Sequence, residues 1–162
     1  RLAKFFISDN PPSAAVDAIA RSFLDTQGDM RAVLRTVFAS DAFWATDQTL
    51  FKTPMDFVCS ALAATQSASD TRHLVLSAGF LKNAGQPIHG WQTPDGYAFD
   101  AATWMVPEAL TRRADYALAV ARQADTSFLL PFLSAATRQT LEQERPALRA
   151  GLILASPDFM AK

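Results

Sequence analysis

Asp95 and Asp100 flank Tyr97 in the stretch Ala84 to Trp104, AGQPIHGWQTPDGYAFDAATW, and two carboxylates facing one cleft could work as general acid and base. Both have plainer uses, since Asp95-Gly96 is a turn signature and Asp100 is placed to cap a helix. His89, between Pro87 and Trp91, could act as a base near neutral pH or bond to nearby backbone. Arg112 and Arg113 follow Pro107, close to a helix N-terminus whose free amides suit a carboxylate or phosphate. An arginine so placed also clamps its own loop, through backbone carbonyls or a nearby Asp. Trp91, Tyr97 and Trp104 add large aromatic surfaces that either pin the segment to helices beneath it or form a docking platform. The ligand or docking candidates are therefore His89, Trp91, Asp95, Tyr97, Trp104, Arg112, Arg113 and Asp115, with no residue marked as catalytic.

Other chemistries lack their residues. His73, His89 and Cys59 lie in separate segments without ligand spacing, so neither a metal site nor a cofactor is expected. There is no Gly-x-Ser-x-Gly elbow, and Cys59 is expected on the inward half of its helix, where a thiol is inert. One cysteine excludes an internal disulfide and leaves the redox compartment open. A net charge of -1, with 49% hydrophobic and 19% charged residues, gives no electrostatic case for nucleic acid or an anionic membrane. No apolar run approaches a membrane span.

The elements that must position the candidates read as helices throughout. Val16, Ile19, Ala20, Phe23 and Leu24 recur at helical spacing, and Gly28-Asp29 makes a corner into Met30, Val33, Leu34, Val37 and Phe38. Ser40 is placed to cap a turn carrying Phe43 and Trp44, with a short loop after it. Thr53-Pro54-Met55-Asp56 is a helix start, and Phe57, Val58, Ala61 and Leu62 face inward from it. Leu74, Val75, Ala78 and Leu81 form the next apolar stripe, ending at Gly85. Beyond the glycine- and proline-rich loop, Pro107 restarts a helix whose inner face is Leu110, Ala114, Ala117, Leu118 and Ala121. Arg112, Arg113 and Asp115 are left toward solvent or the loop. Ser134 and Pro146 open two further helices. No strict alternation argues for a strand, so the expected fold is an all-α, irregular multi-helix bundle, residues 1–162 forming one domain with one long ordered loop. The segments Val37 to Trp44 and Ile153 to Met160 look like one helix-to-helix corner used twice.

With these segments identified, the chain resembles the large bacterial family known as domain of unknown function 1800 through Lys4 to Pro12, Phe51-Lys52-Thr53-Pro54 with Phe57-Val58, and Gly85-Gln86-Pro87 with Gly90-Trp91. Trp104, Leu110 and Arg113, and the terminal Leu154-Ala155-Ser156-Pro157-Asp158-Phe159, complete the match. The resemblance implies the C-terminal part of a longer protein, in a family that often begins with export signals and has no established activity, hence a periplasmic or exported setting. Where the family tends to read Arg, any residue, Asn, aromatic, this chain has Arg113-Ala114-Asp115-Tyr116, an anion in place of an amide.

Residues 1 to 7 begin without a cap, with Leu2, Phe5 and Phe6 at helical spacing and Ile7 off that face, as though inside a helix of a longer chain. The expected partners are the upstream part of the same chain, or a second copy meeting this segment or the aromatic loop. Functionally the expectation is a helical module that completes a larger exported protein, with residues 84–104 as its docking or ligand surface. The alternative is one wall of a hydrolase-like or ligand-binding cleft shared with the upstream region.

Overall fold

Polar side chains cap some of the helices of this computed structural model, and prolines in the first turn open others; the structure describes residues 1–45 and 50–162. The first of two compact units, Arg1–Leu50, contains α1 (Leu2–Phe6), α2 (Ser13–Asp25), α3 (Met30–Phe38) and α4 (Asp41–Trp44). At the α2–α3 corner Gly28 has φ +85°, its N–H donates to the Phe23 carbonyl at 2.8 Å, and the Asp29 carboxylate accepts from Arg31 N at 2.9 Å. The left-handed turn that only glycine adopts cheaply thus ends one helix, and the aspartate starts the next. Ala3, Ile7, Ala15, Ile19, Val33 and Val37 make the core of this unit. An edge-to-face run of rings, Phe6 on Phe38 at 5.4 Å and Phe38 on Phe43 at 5.0 Å, flanks it. The loop expected after Trp44 lies largely outside the described residues.

Two expectations for this unit change. Ile7 is 2% exposed and Phe5 is 48% exposed, the reverse of their expected roles. The reason is that Ala3 and Ile7, four residues apart with the Ile7 N–H donating to the Ala3 carbonyl at 2.9 Å, share the face of α1 that is covered, and Phe5 lies off it. On α2 the buried face is Ala15 and Ile19, while Val16, Phe23 and Leu24 are exposed.

The second unit, Phe51–Lys162, contains α5 (Pro54–Ala64), α6 (Thr71–Asn83), α7 (Ala101–Trp104) and α8 (Pro107–Val120). A 3₁₀ turn (Ser127–Phe132), α9 (Ala135–Gln143), α10 (Pro146–Ala155) and α11 (Pro157–Met160) follow. Phe57, Val58 and Ala61 of α5 meet Phe80 and Leu81 of α6, Tyr116, Ala117 and Val120 of α8, Trp104 and Leu154 in one core. Helices α8 and α10 approach closely at Gly151, where a Cβ would stand 2.6 Å from Leu118 Cδ2 and 2.9 Å from its Cα. The chain is all-α, and among the described residues β structure is limited to an isolated antiparallel bridge between Phe51 and Ala161.

In the second unit too, the apolar stripes do not all face inward. Helix α6 buries Ser77, Phe80 and Leu81, and leaves Leu74, Val75 and Ala78 exposed. Helix α8 buries Arg113, Tyr116, Ala117 and Val120 instead of centring on Ala114 and Leu118. Cys59 is exposed, one position beyond the buried Phe57-Val58 pair. Periodicity marks where apolar side chains cluster on a helix, but the neighbouring helices decide which face is covered. The repeated corner shares two hydrogen bonds: Ser40 Oγ and N donate to the Val37 carbonyl at 2.7 and 3.2 Å, and Ser156 Oγ and N to the Ile153 carbonyl at the same distances, but only Ser156 also caps its next turn, accepting from Phe159 N.

Candidate functional site

Four separated stretches meet at the N-terminus of α5. Thr53 and Asp56 form a reciprocal capping box, with Pro54 in the first helical turn. Gln86, buried just past the end of α6, accepts a hydrogen bond from Met55 N at 2.7 Å and so satisfies another free amide of the same helix end. From the C-terminal end, Met160 offers its carbonyl to Lys52 N at 2.8 Å, and Phe159 offers its own to Lys52 Nζ at 2.6 Å. The Lys52 ammonium also lies 4.1 Å over the Phe159 ring.

Arg113 enters from α8 and is only 1% exposed. Its guanidinium lies 4.6 Å from the Phe51 ring centroid and 5.0 Å from that of Phe57, and Nη2 donates to the Lys52 carbonyl at 2.8 Å. Among the described residues no carboxylate pairs with it and Nη1 has no partner. Burial pushes its pKa down to about 10, against the opposing pull of Asp56. Burial also lowers the Lys52 pKa, with Lys162 and Arg113 adding to the effect and Asp56 opposing it. For Asp56, burial alone would raise the pKa, but hydrogen bonds from Lys162 and Thr53 outweigh it and hold the carboxyl below its ordinary range. This hub is electropositive, yet its central cation lies beneath aromatic rings, where solvent barely reaches it. Lys52, Asp56, Gln86 and Lys162 were not singled out from sequence as site residues, because the contacts that join them span most of the unit.

The loop candidates form a second place. Trp91 Nε1 donates to Asp95 Oδ1 at 3.0 Å, Thr93 Oγ1 donates to the same oxygen, and Tyr97 Oη donates to the Pro87 carbonyl at 2.7 Å. The Trp91 and Tyr97 rings lie 4.8 Å apart. Gly90 permits this closure, since a Cβ there would fall 2.3 Å from Pro87 Cγ. His89 is exposed in a left-handed conformation at φ +55° and joins none of these contacts. Asp100 caps α7, accepting from Thr103 N at 2.9 Å, so Asp95 and Asp100 hold a turn and a helix start respectively. Trp104 lies in the core, with Nε1 donating to the Ala98 carbonyl at 2.9 Å.

Arg112 and Asp115 occupy a third place, a shallow groove between α6 and α8 of about 380 Å³ that also borders Tyr116. Arg112 Nη1 donates to the Asn83 carbonyl at the end of α6, at 2.6 Å. Trp91, Asp95 and Tyr97 are thus brought together, Arg112 and Asp115 are brought together elsewhere, and Arg113 and Trp104 are buried.

Among the described residues no three His, Cys, Asp or Glu side chains gather as a metal site would require, and no helix is long and apolar enough to cross a membrane. A family model described as a protein of unknown function, DUF1800, matches residues 1–161. No curated protein and no solved structure matches the chain.

Proposed function

The chain belongs to the DUF1800 family of proteins of unknown function, and from that premise we propose that it is a helical interaction module of a larger, exported bacterial protein. Its loop, residues 84–104, docks on the upstream part of the same polypeptide. The observation that carries this reading is the pairing of exposed aromatic surface with internally satisfied polar groups. Ile88, Trp91 and Phe99 are exposed, while the indole N–H of Trp91 and the hydroxyl of Tyr97 are already bonded within the loop. A platform held in this way loses little conformational entropy on binding, so its apolar area contributes to affinity with little offset. The carboxylates that could have done acid and base work hold a turn and a cap, which favours docking over catalysis at this segment.

The test is fluorine NMR of the protein labelled with 5-fluorotryptophan, comparing this chain alone with the full native polypeptide. The Trp91 signal is expected to lose its sensitivity to solvent in the full polypeptide. An equally solvent-sensitive Trp91 signal in both would refute the proposal.

A further inference from the structure

We propose that the groove between α6 and α8 is the interface of a two-fold homodimer, with a second copy of this chain as its occupant. Three observations meet there. Two large apolar side chains of α6 lie open at the groove, Val75 at 68% exposed and Leu76 at 37%, and mark a surface without a cover inside the unit. A glycine, Gly79, stands in the middle of the same helix and lines the groove. Its φ is not in the left-handed range, and a Cβ built on it meets nothing within 4 Å. Glycine is disfavoured inside a helix, and here neither backbone conformation nor packing within the chain asks for it. Close approach of another backbone does.

The charges identify the occupant. Arg112 and Asp115 lie three positions apart on α8, both exposed and both lining the groove. Among the described residues no ion pair joins them, and Arg112 uses Nη1 on the Asn83 carbonyl, leaving its other N–H groups for a further acceptor. In an antiparallel, two-fold pairing Arg112 of one copy faces Asp115 of the other, and the contact occurs twice. A copy of the chain supplies this order of charges by symmetry. The apolar surface formed by Val75, Leu76 and Gly79 then lies beside the two complementary pairs on α8.

Sedimentation equilibrium and thermal melts of four proteins test this. Wild type is expected to be a dimer. Gly79→Leu has open space for its side chain and leucine favours helix, so it is expected to stay folded with a cooperative melt, while dimerising at least about tenfold more weakly. Arg112→Asp and Asp115→Arg are each expected to be monomeric alone, and their equimolar mixture to recover a dimer. A monomeric wild type, a Gly79→Leu protein that dimerises as wild type does, or a mixture no more associated than its components would each overturn the proposal. Trp91→Ala is expected to leave the dimer unchanged, so this inference and the loop reading stand or fall separately.

Discussion

Arg113 donates from Nη2 to the carbonyl of Lys52 at 2.8 Å, so one buried cation fastens the backbone beside another that is itself partly buried. No carboxylate forms an ion pair with Arg113 among the described residues; the Phe51 and Phe57 ring faces, the Lys52 carbonyl and the more distant charge of Asp56 provide its favourable electrostatics. A cation kept for shape and stacking should be replaceable by an apolar side chain of similar volume, whereas truncation should not be tolerated. Arg113→Ala is therefore expected to cost about 3 kcal/mol in urea unfolding. Arg113→Met is expected to stay within about 1.5 kcal/mol of wild type, because relief of desolvation offsets the lost hydrogen bond.

The pH dependence follows from the signs of the shifts. Asp56 is held below its ordinary range in the folded protein. Its contribution is fully present above the unfolded value of about 3.9 and is lost as the pH falls through the lower folded value. Asp56→Asn is expected to flatten the acid limb of the stability profile and to cost about 1 kcal/mol at neutral pH, a figure discounted for the solvent that screens this partly exposed pair. Arg113 has the same sign in an alkaline window: with its pKa lowered to about 10, the unfolded chain binds more protons between that pH and its own higher value, so stability rises with pH there as the buried charge is relieved. Arg113→Met should remove that alkaline rise, as followed by urea unfolding across the range.

The two tryptophans of the loop region should separate in the same assay. Trp104 is buried among core residues, and Trp104→Ala is expected to lower stability by about 3 to 5 kcal/mol. Trp91 is half exposed, and Trp91→Ala is expected to cost no more than about 1 kcal/mol, the worth of its hydrogen bond to Asp95 and partial ring contact.

Close packing of α8 on α10 gives one more outcome. Gly151→Val would force a side chain into space held by the backbone as well as the side chain of Leu118. A loss of about 3 kcal/mol, read from the melting transition, is expected.

Local chemistry was legible in the sequence and long-range geometry was not. Asp29, Thr53, Asp100 and Ser134 cap the helices they were placed to cap, because a cap needs only a side chain and the amides two or three residues later; Ser40 was placed to cap as well, but its hydroxyl turns back to the Val37 carbonyl and makes no cap bond. Asp95 serves its turn for the same reason. The burial of Arg113 could not be read from its neighbours on α8, because its environment comes from Phe51, Lys52 and Phe57, far away in the chain. Nor could the outward face of α6, since Leu74, Val75, Ala78 and Leu81 have the spacing of a core stripe, and only the position of the neighbouring helices shows that Leu81 alone of them is covered, together with Ser77 and Phe80.

The central claim is that the hub around Arg113 is architecture and that recognition belongs to the loop. Calorimetric titration of this chain with the upstream part that the proposed function assigns to the same polypeptide, expressed separately, tests it most directly. Wild type and Arg113→Met are expected to bind alike, within about threefold, while Trp91→Ala combined with Phe99→Ala is expected to weaken binding by at least about tenfold with little loss of melting temperature. Undiminished binding by the loop variant, together with lost binding by a folded Arg113→Met protein, would contradict the account and move recognition to the buried cation.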